Sequence, residues 1–244
     1  ATYNVHGCMG MDRQRSEERI AKVIAEMSVD VVALQEVDLG RRRSAGADQT
    51  KMIAEQLGWH RHFYPAMRQD DEHYGNAILS RYNLNVRRAV ELPGKPPFFC
   101  RENRAAMEVE IETNLGNVRI INTHLGLGWR ERFVQAELFI SAEWHAAIAR
   151  ETPLILLGDF NSLRGSRPYR TINRHLRDVR ELTGTSEPVR TFPTRFPVLT
   201  VDHIFVNEAL QPLSVTVHSS PLARIASDHF PLMAEFARSS YRCT

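Results

Sequence analysis

Five short segments combine residue types that hold hard cations and phosphate groups. They are Tyr3–Gly7, Leu34–Val37, Asn122–Leu125, Gly158–Asn161 and Ser227–His229. Four of them follow or lie within apolar, β-branched runs that are typical of buried strands. An α/β sheet places its binding site at strand ends, so we expect these acids, amides and imidazoles to cluster. Carboxylates with amide and imidazole partners favour metal-assisted chemistry on a phosphate group.

Glu36 comes directly after the apolar run 31–35. A buried carboxylate is costly unless it is paired or bound to a metal, so Glu36 is a candidate metal ligand, with a structural ion pair as the alternative. Asp159 and Asn161 follow a second apolar run, and residues two apart on an extended segment face the same side. We expect this acid and amide to hold and deprotonate one water. An Asx turn that closes the strand is the alternative.

Acids and imidazoles form the remaining candidates. Asp228 and His229 are adjacent in sequence, and this pair predicts either metal binding with leaving-group protonation or an ordinary surface pair. Asp202 lies within an apolar strand and needs a partner. Because carboxylates orient imidazoles, we predict a hydrogen bond between Asp202 and the His229 ring. His124 ends a strand without a local partner, so a satisfied core or rim histidine is an equal alternative to a functional one.

Composition is ordinary for a soluble globular chain. The 244 residues are 43% hydrophobic and 25% charged with a net charge of +2, so no strong global field draws the chain to nucleic acid. No apolar stretch approaches the roughly 18 residues of a membrane span. Three widely spaced cysteines, without Cys-x-x-Cys or His-Glu-x-x-His, argue against a disulfide framework and a zinc site. We expect a cytoplasmic location, with a secreted or periplasmic one left open.

Hydrophobic periodicity predicts helices that interleave with strands, followed by strand pairs. The predicted helices are 13–27, 48–57, 129–150 and 168–175. The predicted strands are 1–6, 30–35, 61–66, 75–81, 84–92, 104–112, 117–123, 154–157, 201–206, 212–218 and 231–237. No repeat or linker interrupts them, so we predict one α/β domain over residues 1–244, with two mixed sheets packed face to face and helices outside. Loops at 93–97 and 188–198 are long enough to be functional.

The ordered set of motifs resembles the endonuclease/exonuclease/phosphatase superfamily, to which DNase I belongs. The matching positions are Asn4, Gln35-Glu36, Thr123–Leu125, Gly158–Asn161, Asp202 and Ser227–His229. No single motif is specific, but the set in this order is, and it runs from Tyr3 to Pro231. The resemblance implies a four-layer α/β sandwich and hydrolysis of phosphoesters with Mg²⁺ or Mn²⁺.

The resemblance also implies roles for individual residues. Glu36 resembles the principal metal ligand, with Asn4 beside it and Asp228 as a further acid on the metal side. Asp159 resembles the general base or water-positioning acid, and Asn161 its partner.

Further roles follow from the same resemblance on the phosphate side. His229 would contact the phosphate, oriented by Asp202, and His124 takes the place that AP endonucleases give to a tyrosine. Arg104 resembles a phosphate-gripping arginine. The substrate-binding candidates are Arg104, Asn76 and His6, and a strand-start turn is the alternative for Asn76.

The leading hypothesis is a metal-dependent phosphodiesterase acting on a phosphoester substrate, without a stable protein partner and as a monomer. Three alternatives stay open: a DNase I-like endonuclease, a sphingomyelinase-like phospholipid phosphodiesterase, and a non-catalytic phosphate-binding relative. The Thr-His-Leu sequence at His124 argues against an AP endonuclease. Pro96–Phe99 is the one candidate for an apolar hairpin suited to lipid, and buried packing is the favoured explanation of it. The arginine and phenylalanine side chains of the loop 191–197 would select the substrate or simply pack.

Overall fold

Two mixed six-stranded sheets form the centre of the molecule. A computed structural model describes residues 1–95, 100, 102–141, 144, 152–185 and 189–239. Among these residues the strands are, in chain order, β1 Thr2–Asn4, β2 Val31–Leu39, β3 His60–Gln69, β4 Glu72–Ser80, β5 Asn85–Glu91, β6 Ala105–Thr113, β7 Gly116–His124, β8 Leu154–Asp159, β9 Arg177–Asp178, β10 Asp202–Val206, β11 Leu210–Val217 and β12 Leu232–Arg238. The first sheet has the order β11-β12-β1-β2-β4-β3, and the second has the order β5-β6-β7-β8-β10-β9.

Each sheet has one parallel pair at its centre. In the first sheet β1 runs parallel to β2, and β12 lies antiparallel on the other side of β1. In the second sheet β7 runs parallel to β8, and β10 lies antiparallel on the other side of β8. The ends of β1, β7 and β8 therefore lie beside the starts of β10 and β12 within their sheets.

Helices cover the outer face of each sheet. They are α1 Glu17–Met27, α2 Gln49–Leu57, α3 Trp129–Phe139, α4 Arg167–Asn173, α5 Val179–Thr183 and α6 Pro221–Ala226. Their starts carry expected capping residues: the Ser16 hydroxyl accepts a hydrogen bond from the Arg19 N–H, and Asp48 accepts one from Lys51. None of the helices among the described residues combines the length and apolar character that crossing a bilayer requires.

Alternation along β2 shows how the layers form. Val32 and Leu34 are buried against the helical side with Ile24 of α1, whereas Ala33 faces the second sheet beside Met107 of β6. On the far side of the second sheet, α3 and α4 cover its outer surface in the same way. Each fully buried Leu or Ile contributes about 1.5–3 kcal/mol to folding. These layers are the predicted four-layer α/β sandwich.

Several element predictions were wrong in detail. The helix predicted over 129–150 ends at Phe139, where the Ser141 N–H bonds the Leu138 carbonyl in a turn. Residues 142, 143 and 145–151, and also Pro96–Phe99, lie outside the described residues. The predicted strand 1–6 ends at Asn4, and a 3₁₀ turn follows at His6–Cys8.

Candidate active site

Strand polarity brings the sequence candidates to one end of the sandwich. Asn4, His124 and Asp159 end β1, β7 and β8, whereas Asp202 begins β10 and His229 lies shortly before β12. A hydrogen bond from Asn4 to Asp159 joins the two sheets here. We call this the site end of the sandwich.

The side-chain amide of Asn4 links Glu36, the predicted metal ligand, to Asp159, the acid predicted to hold the water. Its Nδ2 lies 3.0 Å from Oε1 of Glu36 and 3.0 Å from Oδ2 of Asp159 and donates to both. Its Oδ1 accepts a hydrogen bond from the His6 N–H at 3.0 Å. Asn4 therefore presents its nitrogen to the acids, and its role as an oxygen ligand to a metal stays a prediction.

Glu36 does not end its strand, as the sequence suggested, but lies in a β-bulge within β2. The register of β2 against β4 shifts between Leu34 and Val37, and the backbone of Glu36 has φ 61°. A bulge turns one side chain away from the regular alternation. A left-handed backbone at a non-glycine residue is a strain that functional sites often carry. The bulge is what directs the Glu36 carboxylate to Asn4.

Asp159 and Asn161 form the Asx turn that was the alternative interpretation. The Asn161 N–H donates to Oδ1 of Asp159 at 2.8 Å, and Asn161 has φ 47°, so this segment is not extended. The turn occupies Oδ1 and leaves Oδ2 for the site. Gly158 has φ 149°, and a Cβ there would collide with the Thr123 carbonyl of the parallel strand β7. Only glycine allows β8 to approach β7 closely enough to place Asp159.

The predicted hydrogen bond between Asp202 and His229 is present. Nδ1 of His229 lies 3.0 Å from Oδ2 of Asp202, and its Nε2 faces Oδ2 of Asp159 at 3.7 Å. Burial opposes the charged ring, but the carboxylates of Asp202 and Asp159 outweigh it and raise the pKa of His229 to about 10. His229 is therefore an imidazolium at neutral pH.

The pKa of Asp159 is raised above the ordinary value of an aspartate carboxyl group. Burial, reinforced by the charge of Asp202, raises the pKa of Asp159 to about 6. Asp202 and Asp159 are register partners on β10 and β8, so the two charges are held close. Oδ1 of Asp202 is buried and has no hydrogen-bond partner among the described residues.

His124 is held neutral between two N–H groups. Nη1 of Arg104 lies 3.2 Å from its Nδ1, and Nδ2 of Asn161 lies 3.1 Å from its Nε2. Burial lowers the pKa of His124 well below its usual value, and the guanidinium adds to this. Because Arg104 keeps its protons, we assign Nδ1 as the acceptor and Nε2 as the protonated nitrogen, so the Asn161 amide touches Nε2 without a hydrogen bond. Nε2 lies 3.6 Å from Oδ2 of Asp159, so its proton is directed into the site.

The remaining candidates lie at the rim or behind the site. Nδ1 of His6 lies 3.4 Å from Oδ1 of Asp228, and this hydrogen bond raises the pKa of the half-exposed His6 ring. Arg104 is buried behind His124, where it also pairs with Glu102 at 3.2 Å. Nδ2 of Asn76 donates to the Ala105 carbonyl at 2.9 Å, a contact between the sheets that uses its donor. Substrate binding by these three candidates stays a prediction.

Sequence reasoning assigned no role to the polar bridge below the site. Nε2 of Gln35 donates to Oδ1 of Asn122 at 2.8 Å, and Nδ2 of Asn122 donates to the carbonyls of Leu34 and Ala77. These bonds lock the two sheets together next to Glu36 and His124. The sequence does contain a sign of this bridge, because Gln35 and Asn122 are amides within buried strands, where an apolar residue would pack equally well.

A second residue without a predicted role is His203. Its Nε2 donates to the Ser162 carbonyl at 2.6 Å and so fixes the turn that carries Asn161.

Four carboxylates belong to the site, those of Glu36, Asp159, Asp202 and Asp228. The nearest oxygens of Glu36 and Asp159 each lie 3.0 Å from Nδ2 of Asn4, which donates to both. The ligand atoms of Asp159, Asp202 and His229 also lie within 4.8 Å of one another. That trio is a poor metal site, because His229 is protonated and donates to Asp202. The oxygen donors on the Glu36 side suit Mg²⁺ or Mn²⁺ better.

A cleft of about 440 Å³ opens beside His229 and Asn161. The ring of Phe192 stacks on the His229 ring with centroids 4.6 Å apart. Leu163, Phe192, Leu199 and Val201 form the apolar part of the wall, and Arg132 also contributes to it.

Comparisons with known proteins agree with the fold and the motifs. A family model described as "Endonuclease/Exonuclease/phosphatase family" matches residues 1–229. The chain is 29% identical over 249 residues to "Uncharacterized protein YbhP" of Escherichia coli (strain K12), an alignment that covers 96% of this chain and 94% of that protein.

Solved structures are similar over nearly the whole chain. A functionally unknown conserved protein from Enterococcus faecalis V583 has a TM-score of 0.78 and 22% identity, covering 98% of this chain and 99% of that one. The mannosyl-6-phosphatase Bt3783 of Bacteroides thetaiotaomicron VPI-5482 has a TM-score of 0.73 and 20% identity, covering 97% and 98%. The human Nocturnin catalytic domain has a TM-score of 0.73 and 22% identity, covering 97% and 93%. At these identities the structural similarity supports the fold alone.

Proposed function

Because the chain belongs to the endonuclease/exonuclease/phosphatase family, whose members hydrolyse phosphoester bonds, we propose that it is a divalent-metal-dependent phosphodiesterase. The observation that carries the proposal is the position of the His229 ring between two carboxylates. Asp202 holds this ring on one side, and Asp159 faces it on the other at 3.7 Å. A protonated acid opposite a buried carboxylate is an acid–base pair at neutral pH.

Asp159 is the proposed base. Its Oδ2 is free of the Asx turn, and a pKa of about 6 keeps it ionised at neutral pH, yet basic enough to take a proton from water. The proposed attacking water lies between this oxygen and the phosphorus. Asn161 sets the orientation of the carboxylate through its backbone N–H, and its side chain positions His124.

The two histidines have different proposed tasks. His229 donates the proton from Nε2 to the leaving oxygen, or stabilises the negative charge that develops there, while Asp202 holds Nδ1. His124 is neutral and donates a hydrogen bond from Nε2 to a non-bridging phosphoryl oxygen. Preorganised donors of this kind stabilise charge that develops in the transition state.

Glu36 would hold the divalent cation, with Asp228 and Asn4 beside it. We propose Mg²⁺ or Mn²⁺, because the charged donors are carboxylate oxygens. When bound, such a cation neutralises charge on the phosphoryl oxygens. The proposal is supported by the four carboxylates at this end of the sandwich, which belong to Glu36, Asp159, Asp202 and Asp228.

The test is Asp159→Asn, assayed by steady-state hydrolysis of bis-p-nitrophenyl phosphate at saturating Mn²⁺. We expect turnover to fall by roughly 100-fold or more, with little change in KM, because a general base acts in the transition state. Asp30→Asn is the matched control, since it removes the same charge from an exposed pair with Arg81. EDTA should abolish the parent activity.

A folded Asp159→Asn protein with near-parental turnover would refute the mechanism. A parent chain without metal-dependent turnover on any phosphoester would instead favour the non-catalytic relative. A panel of plasmid DNA, abasic DNA, RNA, sphingomyelin, phosphatidyl lipids and inositol phosphates then identifies the substrate class.

A further inference from the structure

Exposed apolar side chains are concentrated at the site end. The large apolar residues exposed on segments next to the site strands are Met11, Leu127, Trp129, Leu163, Phe196, Val198, Leu199 and Ile225. Those exposed elsewhere among the described residues are Met52, Val86, Val134, Leu182 and Leu213. The two most exposed, Phe196 at 73% and Trp129 at 61%, belong to the first group. We call the first group the apolar rim.

Hydrogen bonds join the apolar rim to the segment that carries the site residues Asp228 and His229. The Thr194 N–H donates to the Asp228 carbonyl at 2.8 Å, and the Thr194 hydroxyl donates to the Ser227 carbonyl. The Phe196 N–H closes a turn onto the Pro193 carbonyl, which places Phe196 at the tip. Two rim residues also line the cleft beside His229, so the cleft opens directly into the rim. Exposed apolar groups in so well-bonded a segment indicate a contact surface.

Positive charge accompanies the apolar rim. The segments 5–16, 125–132, 160–167, 189–201 and 218–231 contain nine arginines and three acids, and the site acids Glu36, Asp159 and Asp202 lie outside these bounds. The arginines are Arg13, Arg15, Arg130, Arg132, Arg164, Arg167, Arg190, Arg195 and Arg224. Of the acids, Asp12 pairs with Arg19 at 3.0 Å, Glu131 is buried, and Asp228 belongs to the site. Arg130 lies over the Trp129 ring, and Arg195 adjoins Phe196 in the turn.

An anionic bilayer satisfies both features at once. Arginines pair with acidic headgroups, and Trp and Phe favour the boundary between headgroups and acyl chains. Nucleic acid would neutralise the arginines but leave the aliphatic and aromatic rim in water. We propose that the site end docks on an anionic phospholipid bilayer with the apolar rim inserted, and that the substrate is a phosphodiester in a lipid headgroup. The second half of this proposal rests on the proposed function.

The experiment measures partition of the metal-loaded full chain onto phosphatidylcholine vesicles with and without phosphatidylglycerol. We expect binding that requires phosphatidylglycerol and weakens as salt is raised. Trp129→Ser and Phe196→Ser should each weaken binding about tenfold, the loss expected for most of one large apolar side chain. Arg195→Gln should weaken it about fivefold. Leu213→Ser is the matched control, because Leu213 is 52% exposed in the middle of edge strand β11 and should change nothing.

The proposed docking and the proposed hydrolysis are tested by separate measurements. The Asp159→Asn chain keeps the whole rim and should bind vesicles as the parent does, so loss of the proposed chemistry leaves the docking measurement intact. Hydrolysis of a phosphatidyl lipid in vesicles should fall with Phe196→Ser in proportion to binding. Equal partition onto neutral and anionic vesicles, absence of partition, or unchanged binding in both rim variants would overturn the proposal. Salt-dependent binding of duplex DNA without vesicle binding would overturn it in favour of nucleic acid.

Discussion

Asp202→Asn tests whether one carboxylate sets the charge of the proposed acid. In the parent, burial opposes the protonated ring, yet the pKa of His229 is raised to about 10 from an ordinary value of about 6.5. Asp202, whose Oδ2 lies 3.0 Å from the ring, makes the largest of the carboxylate contributions to this shift, ahead of Asp159 and Asp228. Asparagine keeps an acceptor for Nδ1 but removes the charge. We therefore expect the pKa of His229 to fall by about 2 units or more, which is roughly 3 kcal/mol of lost preference for the charged ring.

Turnover should follow the charge of His229. Near pH 9 about nine-tenths of the parent rings are protonated, whereas at a pKa of about 8 only about one-tenth of the variant rings are, so turnover should fall by roughly tenfold. The alkaline limb of the pH–rate profile should move down from near pH 10. Alkyl phosphodiesters should lose more activity than aryl ones, because a phenolate leaves with little help from a proton.

Stability gives an independent readout of the same pair. A histidine with a raised pKa stabilises the folded metal-free chain fully below about pH 6.5, and this stabilisation is lost as pH rises toward 10. Asp202→Asn should remove most of that pH dependence from thermal melts. NMR titration of the histidine ring protons measures the pKa directly, with Asp30→Asn as the control for charge. A His229 ring that titrates at its parental value in Asp202→Asn would refute this account.

Three further predictions concern the cation and the backbone. Glu36→Gln should lower Mn²⁺ affinity sharply in calorimetry while thermal melts show a folded chain, and unchanged affinity would remove Glu36 from the metal site. Apparent Mg²⁺ affinity should rise with pH through about 6, because the ionised Asp159 carboxylate attracts a cation held at Glu36, and a flat profile of the Mg²⁺-induced increase in Tm would contradict this. Gly158→Ala should cost more than about 2 kcal/mol by denaturant unfolding, because its Cβ meets the Thr123 carbonyl. Gly165→Ala, at φ 76° with open space, should cost only about 1 kcal/mol, and equal losses would exclude the steric explanation.

The sequence predicts well which site residues lie at the ends of strands. Runs such as Leu154–Leu157 are too apolar and β-branched to be exposed, and a polar residue directly after them marks the boundary. Parallel and antiparallel neighbours then place Asp159, Asp202 and His229 at one end of the sandwich. The hydrogen bond between Asp202 and His229 was predictable for a simple reason, because a buried carboxylate needs a donor.

Local backbone departures were not predictable in the same way. The bulge at Glu36 depends on the pairing of β2 with β4, and hydrophobic alternation does not show an inserted residue. The Asx turn at Asn161 depends on where β8 ends. Two short helices, α5 and α6, and strand β9 have too few residues to show a period, so tertiary packing decides them.

Asp159 on β8 and Asp202 on β10 are paired across the two strands, and the His229 ring gives them different tasks. Two buried carboxylates at paired positions repel, and Asp202 does raise the pKa of Asp159. His229 relieves this by donating Nδ1–H to Asp202 and turning Nε2 toward Asp159. Asp202 is thereby occupied by the ring, whereas Asp159 keeps Oδ2 available for the water. The nearness of Asp159, Asp202 and His229 is therefore better explained as an acid held beside a base than as a set of three metal ligands.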